Sequence, residues 1–229
     1  MIKAVISGDI IAYTSLSVQQ KDELEKTLNS LFYVINHKYK VYIRLIKGDY
    51  LECVVDEPEY ALEIALLIKM QIKSLEFNNL QEDTRLKYFN NYGVRLAIGL
   101  GKLERIDKQK GIIDGEAIYF SGRLITEQNT HTQKKIHIKQ SLFFKSYDEN
   151  LNKEMDTLFG LTDFIINKST SKQASVIYRK ILGEKEDEIA KNLGVSKSVV
   201  NRQSISAGWY PLRKTLEYYK YKISNFIKK

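Results

Sequence analysis

Apolar residues alternate or run together over Lys3–Ser7, Val41–Ile46, Tyr50–Asp56 and Gly93–Leu100, a pattern that predicts four strands. Between them, apolar positions recur every three or four residues over Val18–Asn36, Tyr60–Ser74 and about Ala117–Gln128, which predicts three helices. A further strand is expected over Lys135–Ile138, and a tight Lys47-Gly48 connection marks a hairpin between the second and third strands. Hairpins and helices mixed in this order predict an α+β, ferredoxin-like arrangement, an antiparallel sheet with helices on one face. The pattern then becomes purely helical. Glu186–Leu193 reads as a short helix, Gly194-Val195-Ser196 as a turn and Lys197–Gln203 as a second helix. After Gly208–Pro211, Leu212, Leu216, Tyr219, Ile223 and Phe226 form the apolar stripe of a last helix, and the tyrosines here are expected to pack along that stripe. The expected organisation is residues 1–150 as the sheet domain, then 151–229 as a connecting helix and a small all-α helix-turn-helix domain.

Charge sharpens this division. Residues 1–169 carry 23 Lys+Arg and 23 Asp+Glu, whereas residues 170–229 carry 13 and 5, so the last quarter holds the whole formal net charge of +8. A basic block of this kind is the electrostatic footprint of a phosphate-backbone binder, because each neutralised phosphate releases counterions. The lone Cys53 excludes an intramolecular disulfide and points to a reducing compartment. The MIKAVISGDII start is broken by Asp9 and does not read as a signal peptide, and the apolar run Ala61–Met70 is too short to span a bilayer. A soluble cytoplasmic protein with no membrane partner is therefore expected. With 43% hydrophobic residues the chain can bury one sizeable core and a satellite.

Within the basic block each position has a physical role in a helix-turn-helix. Ala190 is small enough for close helix approach, Gly194 can take positive φ, Val195 is expected to plug the corner, and Ser196 can cap the second helix. Val199 and Val200 are expected inward, with Ile205 closing the hairpin because Gln203 stands where an apolar residue is usual. Lys197, Ser198, Asn201, Arg202 and Gln203 are left to meet a major groove of duplex DNA. Arg213, Lys214, Lys220 and Lys222 can extend the phosphate-contacting surface. The competing reading is an ordinary helical hairpin with a solvated charged face.

Two carboxylates stand out in the first domain. Asp9 follows the first strand and Asp49 follows Gly48 at the hairpin. The antiparallel order can make these points neighbours, and paired aspartates can hold Mg²⁺ or Mn²⁺ against a nucleotide's phosphates. Singly, Asp9 reads better as a helix N-cap or turn residue, and Asp49 as a hairpin-turn aspartate. The segment Lys102–Lys110 reads as a charged, solvated loop or an arm that pairs subunits, and His37, His131 and His137 do not group at metal-ligand spacing.

The ordered segments SGDII, KGDYLECVV, VRLAIGLGKLE and DGEAIYFSGRLI resemble the catalytic domain of class III adenylyl and guanylyl cyclases. With the C-terminal helices included, the chain resembles the SatD-like family, which joins a cyclase-like domain to a helix-turn-helix. The resemblance implies metal binding by Asp9 and Asp49, and nucleotide contacts from Ile10, Lys47, Gly48 and the position of Tyr119. It further implies a transition-state role for Arg123 and a homodimer with shared sites. Two positions depart from the pattern. Tyr119 replaces the catalytic asparagine, and Leu45 stands at the position of the base-selecting lysine. The expected function is a ligand-responsive, DNA-binding transcriptional regulator that senses a metal–nucleotide or nucleotide-derived signal. The alternative is an active nucleotidyl cyclase carrying a DNA-binding module.

Overall fold

The computed structural model describes residues 1–77, 84–128 and 138–228. Among these residues the order is β1 (Ile2–Ile10), α1 (Val18–Lys38), β2 (Val41–Ile46), β3 (Tyr50–Val55), α2 (Ala61–Ser74), α3 (Thr84–Tyr92), β4 (Val94–Asp107), β5 (Ile112–Gly115), α4 (Glu116–Glu127) and β6 (Leu142–Ser146). Five helices follow: α5 (Glu149–Asn167), α6 (Ser171–Leu182), α7 (Glu186–Leu193), α8 (Lys197–Ser206) and α9 (Trp209–Phe226). The boundary expected at residue 150 falls inside α5.

The sheet runs β2-β3-β1-β4-β5, with antiparallel neighbours, and β6 lies parallel to β4. The first four strands with α1 and α2 make the ferredoxin-like core expected from the pattern. Helices cover both faces, however, not one. Strand residues alternate between faces, so Ala4, Ile6 and Ile10 of β1 join the large core, while Val5 packs with Val54 and with Ala117 of α4 on the other side. Gly99 makes that second layer possible, since a Cβ there would lie 2.0 Å from the Ala117 carbonyl oxygen.

Local chemistry explains several element ends. Ser17 and Gln20 form a reciprocal capping box at the start of α1, and Thr170 and Gln173 do the same for α6. The β2–β3 connection, Lys47–Asp49, places both Lys47 and Gly48 at positive φ. Lys102–Lys110 is not a simple loop. Its first part continues β4 to Asp107, and the chain returns as β5, held over the sheet by Arg44 Nη1 donating to the Gly111 carbonyl at 2.5 Å. Nearly all of the strand expected at Lys135–Ile138 lies outside the described residues, as do His131 and His137. His37 lies against the Tyr33 ring near the end of α1, with centroids 4.2 Å apart and the rings tilted by 39°.

The C-terminal helices share the main core. Ala174, Ile177 and Ile181 of α6, with Leu212, Tyr219 and Ile223 of α9, belong to the same buried cluster as α2 and the sheet. No helix among the described residues is long and apolar enough to cross a membrane.

Candidate functional site

Sheet register brings the two aspartates to one end of the sheet. Asp9 is paired with Tyr50 on β3 and with Arg95 on β4, and the Ile10 amide donates to the Asp49 carbonyl at 2.8 Å. Odd-numbered β1 residues face α4, so Asp9 shares its face with Ser7, whose hydroxyl meets that of Ser121 on α4 at 2.8 Å. Ile10 is 2% exposed with its side chain in the core. Anything it offers a ligand must come from its backbone, whose amide is already bonded. Lys47 is exposed, and Gly48 lies so near Tyr13 that a Cβ would sit 2.6 Å from the phenol oxygen. Burial first, and then the Asp49 charge, push the Tyr13 phenol upward in pKa.

Arg95 is the residue that sequence reasoning missed at this end. It is 4% exposed. Its Nε donates to Asp9 Oδ1 at 2.9 Å, its Nη2 donates to Asp9 Oδ2, and its Nη1 donates to the carbonyl of Gln128 at the close of α4. Bidentate pairing of this kind satisfies and neutralises the carboxylate. Among the described residues no group of three or more His, Cys, Asp or Glu is placed to hold a metal ion. Of the two carboxylates expected to hold a metal, Asp9 has both oxygens committed to a guanidinium. A lone arginine within the otherwise apolar VRLAIGL strand was the available signal.

Tyr119 and Arg123 lie one helical turn apart on the outer face of α4. They line an open groove of about 580 Å³ with Ile118, Gly122, Thr126 and Glu127. The Tyr119 hydroxyl donates to Asp114 Oδ1 at 2.8 Å, which raises its pKa. Arg123 is exposed and makes no hydrogen bond or ion pair among the described residues, so it does not meet Asp9 or Asp49 within one chain. Leu45 lines a separate hollow between α1 and β2, beside Tyr13, Ile43 and Arg44.

At the other end of the chain, α7 and α8 are joined by a tight corner. Gly194 takes φ 65°, and Ser196 caps α8 by accepting from the Val199 amide. Ile189 and Ala190 of α7 pack with Val200 of α8 and Val176 of α6, so α6 is the third member of this unit. Val200 is buried as expected and Val199 half-buried, but the closing positions differ because α8 extends to Ser206, beyond Gln203. Val200, Ser204 and Ala207 point inward at helical spacing, while Ile205 is 69% exposed and closes nothing. Val195 is 40% exposed and does not plug the corner. Lys197, Ser198, Asn201 and Arg202 are exposed, Gln203 is half-buried, and Lys197 pairs with Asp187 at 2.9 Å across the corner. On α9 only Tyr219 follows the buried stripe fully; Tyr210, Tyr218 and Tyr221 are exposed. Arg213, Lys214 and Lys220 are exposed as well, and Lys222 pairs with Glu154.

Fold and site together define an α+β sheet protein with two carboxylates at one sheet end and a basic helical unit packed against its side. The chain is similar to a bacterial light-regulated adenylyl cyclase, at 17% identity and TM-score 0.42, over 63% of this chain and 43% of that one. It is also similar to the monomeric guanylyl cyclase domain of the RhoGC fusion protein from Blastocladiella emersonii, at 18% identity and TM-score 0.39, over 55% and 74% of the two chains. The adenylyl cyclase CyaB from P. aeruginosa is similar at 17% identity and TM-score 0.37, over 56% and 73%. The chain thus spans less than half the length of the light-regulated enzyme. No protein-family profile and no curated protein matches it in sequence.

Proposed function

We propose that this protein is a DNA-binding transcriptional regulator, with α8 as its major-groove helix and the sheet domain as the receiver of a nucleotide or nucleotide-derived signal. One observation carries the reading. The outward face of α8 gathers Lys197, Ser198, Asn201 and Arg202, all exposed, on a helix whose inner side is anchored by the buried Val200. Asn and Arg at such positions match purine edges, and Lys and Ser match phosphate oxygens. The confinement of the net positive charge to residues 170–229 supports the same partner.

The sheet domain supports recognition of a nucleotide more than its turnover. Asp9 is held by Arg95 instead of standing free, and Tyr119 presents a phenol already bonded to Asp114 where the cyclase pattern has a carboxamide. A homodimer would carry two copies of α8 to a two-fold operator, its half-sites about one helical turn apart.

Fluorescence anisotropy of full-length protein with labelled duplex DNA, repeated from low to physiological salt, tests the reading. Binding should weaken linearly in log salt, Arg202→Ala should reduce affinity, and Lys197→Ala should flatten the slope. A chain with no affinity for any duplex at low salt would overturn the proposal.

A further inference from the structure

The ion pair at the sheet end has a definite shape. Asp9 offers two carboxylate oxygens, and both accept from one guanidinium, through Nε and Nη2 of Arg95. The side chains are 14% and 5% exposed, so the pair is largely withdrawn from water. The third nitrogen of the same guanidinium, Nη1, donates to the Gln128 carbonyl just past α4. Arg95 therefore has all three nitrogens engaged, two with the strand next to its own and one at the C-terminal end of the helix that covers the sheet.

From this geometry we infer that the Arg95 guanidinium occupies the place on Asp9 that a divalent cation would take, so that Asp9 is a positioning residue that binds no metal. The pair neutralises the carboxylate and latches the end of α4, the helix of Tyr119 and Arg123, onto the sheet. A ligand bearing phosphate is then received at this end without a metal bridge to Asp9, because the repulsion a metal would cancel has already been cancelled by a fixed cation. A divalent ion arriving at Asp9 would have to expel a buried guanidinium and leave it uncompensated. That cost lowers apparent metal affinity by a factor on the order of 100 or more. Asp49 alone supplies too few oxygens for a tight divalent site, since such ions take six or more oxygen ligands. The inference concerns the sheet domain only and holds or fails independently of DNA binding.

The test is a Mn²⁺ titration of the full-length chain followed by electron paramagnetic resonance, on wild type, Asp9→Asn, Arg95→Gln and the double variant. Wild type and Asp9→Asn should bind Mn²⁺ indistinguishably, because Asp9 contributes nothing to either. Arg95→Gln frees both oxygens and should gain a site on the order of 100-fold tighter, which the double variant loses. A wild-type Mn²⁺ site that Asp9→Asn removes would overturn the inference. So would a folded Arg95→Gln protein that gains no site, since something other than the guanidinium would then be excluding the cation. Should Arg95→Gln fail to fold by circular dichroism, wild type against Asp9→Asn decides the matter alone.

Discussion

Lys69 is a lysine with no exposed surface in the middle of α2. Its three ammonium protons are directed at the Val94 carbonyl (2.8 Å), the Tyr92 carbonyl (3.0 Å) and the Ser141 hydroxyl (2.7 Å). Ser141 in turn donates through its amide and its hydroxyl to Asp163 of α5, each at 2.7 Å, and Asp163 is 3% exposed. The network thus joins α2, the start of β4, the residue before β6, and the first of the C-terminal helices. Replacing Lys69 by Met keeps the length and the apolar stem but strands two backbone carbonyls and leaves Asp163 with Lys73 as its remaining buried cation. Removing one partner of a buried charged network costs about 3–5 kcal/mol, and retained packing by Met places the expectation near the lower limit, roughly 3 kcal/mol. For a chain of this size that is a fall in Tm of roughly 10 °C. The pair Lys69→Met with Asp163→Asn should recover part of the loss, because Asp163 is then no longer a buried carboxylate missing a cation, although Lys73, itself buried, loses its attraction to Asp163.

The same residue makes a prediction about pH. Burial lowers the Lys69 pKa to about 8, with Asp163 opposing the shift. Between pH 8 and the unfolded value near 10.4, the unfolded chain binds more protons than the folded one, so the contribution of Lys69 rises with pH across that window. The shift corresponds to roughly 3 kcal/mol. Cys53 and Tyr219, whose pKa values burial pushes up, act in the opposite direction but equally in both proteins. Urea unfolding of wild type and Lys69→Met should therefore show a stability difference that widens from pH 8 to 10.5. A difference below about 1 kcal/mol at pH 7, or one that narrows as pH rises, would refute the reasoning.

Gly99→Ala should destabilise more than Gly194→Ala. At Gly99 the new methyl meets the α4 backbone at 2.0 Å, whereas at Gly194 nothing lies within 4 Å and only the left-handed backbone is penalised, by about 1 kcal/mol; denaturant midpoints decide the order. Val200→Ala should cost roughly 2 kcal/mol, since Val200 is the buried pin of α8, and under the DNA-binding proposal it should weaken DNA binding as well; thermal unfolding and anisotropy on one preparation check both. Cys53 is fully buried with its thiol pushed away from the reactive thiolate, so a thiol reagent should label it only as the chain unfolds. Labelling at the full rate in native buffer would contradict its burial.

Local chemistry was legible in the sequence wherever one element contains the whole cause. The apolar rhythm located β1 to β3, α1 and α2 within a few residues, and the short-range signals at Gly194 and Ser196 located the corner between α7 and α8, because φ preference and capping act over three or four residues. The residue that closes α8 was not legible for a related reason, although Val200 is buried as its pattern implies. Val199, Val200 and Ile205 alone do not fix a helical stripe, and the added turn to Ser206 moves Ser204 inward and Ile205 outward. Tertiary structure decided the rest. Asp9 and Arg95 are 86 residues apart, and Lys69 and Ser141 are 72 apart. No periodicity within either segment contains the other, so only strand register could put a guanidinium on the carboxylate that the motif assigns to a metal. The second helical layer likewise depends on α4 finding Gly99 across the sheet. Sequence alone determined which segments form elements and where the charge lies, because those causes are local. Which charges are neutralised, and which faces remain for a partner, was decided by long-range packing.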